Sequence, residues 1–531
     1  MPILNSPAHE FPTIWTVMQN CKSITEKLGE KYTVITFDEQ LYSKAKMLQW
    51  DQLDSCKDIV LMLGGFHTSM NFCKVVGKYM NSSGIANIWV ESGVIGEGTA
   101  ENIMDGKGWN RAIRVHKLTV EALWSILWER FKEWATENEK TVSENLQNAA
   151  KRVAQGFANK DDNDIQSSLE DLLSSIEEVK VLFDEFESSS SENATYQYWR
   201  TYMKLVSILL RFTRSLRDGD WELFLSSFAE MLPWFGAFDH YHYTRWGTVF
   251  LADMNMLPTT APEVHLGFLA GDFITKETKQ LFNQIADDKA MEHVNKTGKV
   301  AGGLVGITKT DTARDRWSLT LSARSQLAKD TQAMFGLSSA ADEDDEHDCA
   351  HKDFGKKRLK QDQDDLQKLI NLFQTFNPFA HPSPDLISLT TCDVASDVVK
   401  HDLLTAEETG KEVISEFVQK RFVLKETLFH DRIKTKKRCT LESMYTLEVN
   451  TGKEKTVALK ADRDLFRRVI TAMEAGRDVD INKMLEQELC GVPLSLATAD
   501  CRLRLPRNIW PKYFSKICHR MLLQLQAQPA P

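Results

Sequence analysis

The chain has 531 residues, room for about two to four domains at roughly 100–200 residues each, and its 42% hydrophobic and 26% charged residues exclude wholesale disorder. A net charge of −10 excludes the overall basic balance of a protein that wraps nucleic acid, so any such role rests on local patches. Nine scattered cysteines without a CxxC exclude a disulfide scaffold and a closed zinc site, and point to a reducing intracellular compartment, nuclear or cytoplasmic.

The amino terminus lacks the basic-then-apolar pattern of a signal peptide, and no run of about 18 apolar residues predicts a membrane span. Pro12 to Leu28 has the spacing of an amphipathic helix. Lys31 to Phe37 is β-branched and aromatic and predicts a strand; Asp38 to Trp50 reads as helix. Ile59 to Leu63 is a short apolar run, a buried strand. It leads through Gly64-Gly65 into a helix from His67 to Asn81. Two strands that each end in polar groups suggest a small sheet with its chemistry at the carboxyl edge.

Helices then dominate. Thr99 to Met104 and Asn110 to Asn138 come first, followed by an increasingly polar helical stretch from Thr141 to Leu216. DDND (Asp161–Asp164) and SSSSEN (Ser188–Asn193) read as breaks in it. Trp221 to Met231 predicts a helix that stops at Pro233. Tyr243 to Met256 predicts another, closed by Leu257-Pro258. Phe273 to Thr308 reads as irregular, and Thr312 to Gly336 as one long helix containing Trp317. Helices resume at Lys360 to Thr375, Ala406 to Arg421, Arg463 to Ala475 and Ile481 to Leu489. The implied division is an α/β core (1–138), a helical insertion (139–216) and the rest of the core (217–337). An acidic linker (338–353), a helical C-terminal region (354–505) and a poorly ordered tail (506–531) follow.

Several stretches could carry chemistry. Asp38, Glu39 and His67 at strand ends could bind a divalent metal, Mg²⁺ or Mn²⁺ by the preference of carboxylate oxygens. The alternative is that Asp38 only caps the helix after it. Gly64-Gly65 with Thr68 would let a phosphate approach a helix N-terminus, although the stretch matches no established phosphate-loop pattern; a plain strand-to-helix turn is the other reading. Lys107, Trp109, Arg111, Arg114 and Lys117 mix cations with an aromatic, a composition that suits nucleic-acid phosphates and bases. His240, His242, Asp239 and Asp253 offer metal ligands, and Arg245 a phosphate contact, on a helix whose aromatics equally suit a core. KTGKVAGGLVGITKT reads as a surface loop, DEDDEHDCAHKD as a solvated linker, and KTKKR as a short basic run of nuclear-import type.

Six stretches stand in this order: YTVITFDEQLYSKA, LGGFHTSMNF, ESGV…GTAENIMDGKGWNRAIRVHKL, LRDGDWELFLSSFAEMLPWFGAFDHYHYTRWGTVFLADM, NKTGKVAGGLVGITK and NPFAHPSPDL. The set resembles a family of multi-copy animal proteins, abundant in fish and marine invertebrates and labelled CXC domain-containing. Its multiplicity is similar to that of mobile-element genes. The resemblance runs from Phe11 to Arg504. It implies a middle fragment of a mobile-element gene, since longer relatives carry Cys-rich segments upstream and a further α/β domain downstream.

The order strand–Asp, strand–His–helix, insertion, helix with an acid is similar to RNase H-like transposases of the hAT type. That likeness implies Asp38 as first acid, Asp253 as last acid and His67 as the histidine that follows the second strand, with Asp38 and Asp253 as metal ligands. This chain has no acid at Gly64-Gly65 and an Asp where a Glu is usual. The expected fold is α/β, with a small RNase H-like mixed sheet, a large helical insertion and a helical C-terminal region. The expected function is nucleic-acid binding, as a relict of a metal-dependent strand-transfer enzyme. The alternative is an intracellular interaction scaffold with protein partners.

Overall fold

Thr33–Phe37 and Ile59–Leu63 form strands β1 and β2 and pair in parallel, from Thr33 opposite Ile59 to Phe37 opposite Leu63. Every β2 residue is buried, whereas β1 alternates and leaves Val34 41% exposed. A parallel pair needs a crossover, supplied by α2 (Glu39–Asp51) and α3 (Leu53–Cys56). The helix α1 (Phe11–Lys27) packs on β1 and α2, and α4 (Gly65–Met80) leaves β2 directly.

This computed structural model describes residue 4, residues 6–140, 145–159, 162–276, 284–299, 310–334, 355–380, 383–434, 438–450 and 456–460, and isolated positions between 469 and 483. The acidic stretch 338–353 and the tail 506–531 lie outside the described residues, as do most of KTGKVAGGLVGITKT, the centre of KTKKR and most of the two last expected helices.

Three helices continue from the sheet: α5 (Ile85–Glu91), α6 (Glu97–Met104) and the long α7 (Trp109–Glu137). The next two, α8 (Asn145–Asn159) and α9 (Asp162–Ser189), pack chiefly on each other. By contrast α10 (Ala194–Asp218) runs through the core, with Tyr198, Trp199, Tyr202 and Phe212 fully buried. Tyr198 donates to the Tyr79 carbonyl at 2.7 Å and stacks on its ring at 4.8 Å, which joins α10 to α4.

The next helices run through their prolines. Pro233 lies inside α11 (Trp221–Ala237), and Pro258 inside α12 (Tyr241–Thr260), where stops were expected. Proline costs a helix bond, but Trp234 and Phe235 beyond Pro233, and Leu257 before Pro258, are buried against the core, and that burial outweighs the loss. After α13 (Pro262–Leu269), the stretch expected to be irregular holds β3 (Thr275–Lys276), antiparallel to β4 (Gln284–Ile285), and then α14 (Asp287–Lys299). The expected single helix around Trp317 is two, α15 (Asp311–Leu319) and α16 (Leu321–Met334). Between them the Thr320 hydroxyl bonds to the Arg316 carbonyl at 2.6 Å.

The C-terminal part adds α17 (Lys356–Thr375), α18 (Asp397–Leu404) and α19 (Ala406–Val418), a π-helical turn at Gln419–Val423, and an antiparallel pair of β5 (Thr446–Asn450) and β6 (Thr456–Lys460). The chain is therefore mostly helical, arranged around a small parallel pair. Among the described residues no helix is long and apolar enough to cross a membrane.

Close helix contact falls on glycine. A Cβ on Gly410 of α19 would lie 1.9 Å from the Pro233 carbonyl oxygen, whereas one on Gly98 of α6 would meet open space. Gly410→Ala should cost about 1–3 kcal/mol as an overpacking change. Gly98→Ala should be neutral or stabilise by up to about 1 kcal/mol. Thermal unfolding of both variants checks this, and equal midpoints would refute the α11–α19 contact.

Candidate functional site at the carboxyl edge of the parallel strands

The two strands end together, where Gly64 donates its amide to the Phe37 carbonyl at 2.7 Å. Asp38 follows β1, and its side chain accepts from the Leu41 amide at 2.9 Å, capping α2. The helix after β2 begins at Gly65 with no cap of its own from Gly64. Its free amides are met from far along the chain. Asp288, in the first turn of α14, accepts from the Phe66 amide at 3.0 Å and the His67 amide at 2.9 Å. The same carboxylate lies 2.9 Å from His67 Nδ1.

This approach needs glycine at the turn. A Cβ on Gly64 would stand 2.4 Å from Asp288 Oδ2, and one on Gly65 would stand 2.8 Å from a Leu216 methyl. The helix N-terminus that the sequence suggested for a phosphate thus carries a carboxylate of the chain itself. Thr68 bonds back to the Gly64 carbonyl at 2.8 Å and so faces its own helix.

More polar groups surround this pair. Asp287 accepts from the hydroxyls of Thr36 at 2.9 Å and Thr275 at 2.7 Å. Burial raises its pKa, opposed by those two bonds. Glu39 is raised by burial too, opposed by His242, whose Nδ1 lies 3.3 Å from Glu39 Oε1. The hydrogen bond to Asp288 raises His67 above its ordinary value, with Asp38 and Glu292 contributing at longer range. Asp38, Glu39, His67 and Asp288 therefore share one electrostatic neighbourhood.

Asp253 is elsewhere. Its carboxylate pairs with Lys46 at 2.6 Å, and burial raises its pKa against that pairing. Lys46 Nζ reaches toward the C-terminal end of α2, 2.8 Å from Gln49 Oε1, and Gln49 donates to the carbonyl of Ile59, the first residue of β2. Asp253 thus sits beside the second half of α2, whereas Asp38 caps the start of that helix. The structure brings Asp38 and His67 together and supplies Asp288, not Asp253, as the helix acid beside them.

With this geometry in place the comparison with known proteins can be read. A family model described as a domain of unknown function (DUF8702) matches residues 1–488. The chain belongs to that family. No curated protein and no solved structure matches it.

The DUF8702 chain places the expected nucleic-acid residues unevenly. Arg114 turns inward and pairs at 2.6 Å with both Asp362 and Asp365 of α17. Trp109 is buried under Lys289, whose Nζ lies 4.1 Å from its ring centroid. Lys107 pairs with Asp105 at 3.1 Å, Lys117 lies 3.9 Å from Glu121, and Arg111 is exposed. Arg245 donates to the backbone carbonyls of His430 at 3.4 Å and Asp431 at 2.6 Å. His240 is half-buried against Phe235, whereas His242 is exposed. Asp287 and Asp288 escaped the sequence reading, although a double Asp opening an amphipathic run is a helix-start signal.

Two opposed pH effects follow. Protonated His67 is favoured in the folded chain, so its stabilisation is complete below the unfolded pKa of about 6.5 and is lost as pH rises through the raised folded value. Burial holds His116 and His240 down to about 3, so their contribution is lost as pH falls below about 6.5. His67→Gln should flatten the alkaline fall of the unfolding midpoint and leave the acid fall intact. Asp288→Ala, which uncaps α4, should cost about 1–2 kcal/mol and return His67 toward its ordinary pKa in an NMR titration. An unchanged His67 titration in that variant would exclude the pairing.

Proposed function

We propose that the chain is a nucleic-acid-binding protein of mobile-element descent, built on a reduced RNase H-like core. One observation carries this reading. An acid that ends the first strand, a histidine that opens the helix after the second, and an acid from a helix beyond a long helical segment meet at one strand edge, as Asp38, His67 and Asp288. That order and place are those of the metal-holding edge in the fold class. The parallel pair is narrower than the full sheet of that class, and the reading treats it as a reduced remnant.

The donors fit a metal poorly. Asp288 directs both oxygens to α4 and His67, and Asp38 directs one to α2. A Mg²⁺ or Mn²⁺ ion would have to displace these caps. The relict reading follows, with binding kept and strand transfer lost. A second reading, a protein-interaction scaffold, is favoured by α9. There Leu169, Leu173 and Ile176 lie on the face away from buried Ser168, Ser175 and Val179, and Leu173 is 62% exposed.

Calorimetric titration with Mn²⁺ and anisotropy with labelled DNA test the proposal together. Saturable, salt-weakened DNA binding without saturable Mn²⁺ binding is expected. Mn²⁺ binding abolished by Asp38→Ala would overturn the relict reading. DNA binding absent even at low salt would overturn the function and leave the scaffold in front.

A further inference from the structure

The turn after α19 gathers cations in an acidic chain. Residues 419–434 hold Lys420, Arg421, Lys425, Arg432 and Lys434 against only Glu426 and Asp431. The turn is ordered by its own backbone, with the Leu424 amide on the Gln419 carbonyl at 2.8 Å and the Glu426 amide on the Lys420 carbonyl at 2.9 Å. Phe429 anchors it to the core, 5.1 Å from the Trp50 ring and 5.0 Å from Trp246.

Here Arg245 of α12 meets Arg421. Their Nη2 atoms donate to the same acceptor, the Asp431 carbonyl, at 2.6 Å and 3.1 Å. Each guanidinium also lies over a ring, Arg421 over Phe417 at 4.8 Å and Arg245 over Phe429 at 5.7 Å, and these rings meet at 6.1 Å. The Nε–H of each is buried and has no acceptor among the described residues. Two carboxylates face Arg245 at longer range. Asp431 accepts from the Leu428 amide at 2.9 Å, and Glu39 is engaged by His242. Burial lowers the Arg245 pKa, and Arg421 adds to that. Two like charges held together by one neutral carbonyl form a ready site for an anion, and paired forks match the oxygens of a phosphate.

Phe422 stands beside them, 45% exposed and braced edge-on by Phe417 and Phe429 at 5.9 Å each. Val423 and Leu424 are exposed next to it. An open ring next to a cation pair suits an unpaired base stacked beside its own phosphate. A membrane surface would call for a longer apolar face than this single turn.

We propose that Arg245 and Arg421 bind a backbone phosphate of single-stranded nucleic acid, with Phe422 as the stacking platform for a neighbouring base. This rests on the nucleic-acid reading above and gives it a location. The pair adjoins the strand edge, because Arg245 is in electrostatic reach of Glu39, and Glu39 of Asp38.

The test is a salt series of anisotropy titrations with a labelled single-stranded oligonucleotide, using the full chain, Arg421→Gln, Arg245→Ala/Arg421→Ala and Phe422→Ala. Arg421→Gln leaves the anchoring bonds of Arg245 in place, and thermal melts show which variants keep their fold. The double variant should bind on the order of 10- to 100-fold more weakly. Its slope of log affinity against log salt should be shallower by about 0.7, the share of the one phosphate contact that is lost. Phe422→Ala should weaken binding with its slope unchanged.

If the wild type binds and folded Arg421→Gln keeps the same affinity and slope, this site is refuted while the nucleic-acid reading stands. If the wild type binds no oligonucleotide, the nucleic-acid reading fails as well. In that case Arg421-dependent binding of inorganic phosphate would mark the pair as a small-anion site and overturn the nucleic-acid source. Binding to vesicles of anionic lipid without oligonucleotide binding would overturn the proposal in favour of a membrane surface.

Discussion

The contact on which the core depends is the Asp288 carboxylate at the N-terminus of α4. It joins groups 221 and 222 residues apart and answers two amides that the Gly64-Gly65 turn leaves open. Short side chains at that turn are a consequence, since a Cβ on either glycine would strike Asp288 or Leu216. Three distant stretches, the end of β2, the end of α10 and the start of α14, thus meet around one helix end. Closing so long a loop costs little more than closing one half as long. The helices between α7 and α10 are therefore tolerated if the two ends of that segment return to the same place.

They do return. Phe131 of α7 packs against Phe183 and Phe186 of α9 at 5.2 Å and 5.7 Å, and Tyr196 at the start of α10 meets Phe186 at 5.9 Å. The paired helices α8 and α9 can then extend outward without disturbing α10. On α4 the same logic operates at shorter range. Gly77 sits against the Met104 carbonyl, where a Cβ would come within 2.0 Å, and Tyr79 stacks on Tyr198. Helix α4 is clasped at its start by charge and at its end by close packing.

What was legible in the sequence follows from how local each signal is. Strands β1 and β2, and helices α1, α2, α4, α6 and α7, are written in apolar spacing and in breaks of composition, and they fall within a few residues of expectation, whereas the short α3 and α5 were not expected. Pro233 and Pro258 misled because their cost is local while the burial that outweighs it comes from the rest of the core. Asp253 looked like a helix acid after an insertion, and only Lys46, on another helix, shows that its partner is a cation of α2. Asp288 had a local signal as a helix-start residue, but nothing near it in sequence says that the helix it caps is α4. The division of one expected helix at Thr320 is not encoded in apolar spacing.

Binding a polyanion beside an acidic strand edge poses an electrostatic problem, and the geometry answers much of it. A free Asp38, Glu39 and Asp288 would repel a phosphate, and an enzyme of the RNase H type offsets such repulsion with metal ions. Here Asp288 faces a helix N-terminus, worth about half a positive charge, and also touches His67, so its negative charge is largely answered within the protein. Burial raises Glu39, and His242 beside it opposes that shift and faces its charge. The pair Arg245 and Arg421 adds positive charge on the side of this edge where Glu39 lies, against aromatic rings rather than bulk water. Screening shortens the reach of the distant acids of a chain of net charge −10 to about 10 Å at ordinary salt, which would leave the proposed phosphate site to its near neighbours. On the proposed function, the same capping that makes a metal hard to admit would also make one unnecessary for holding a phosphate.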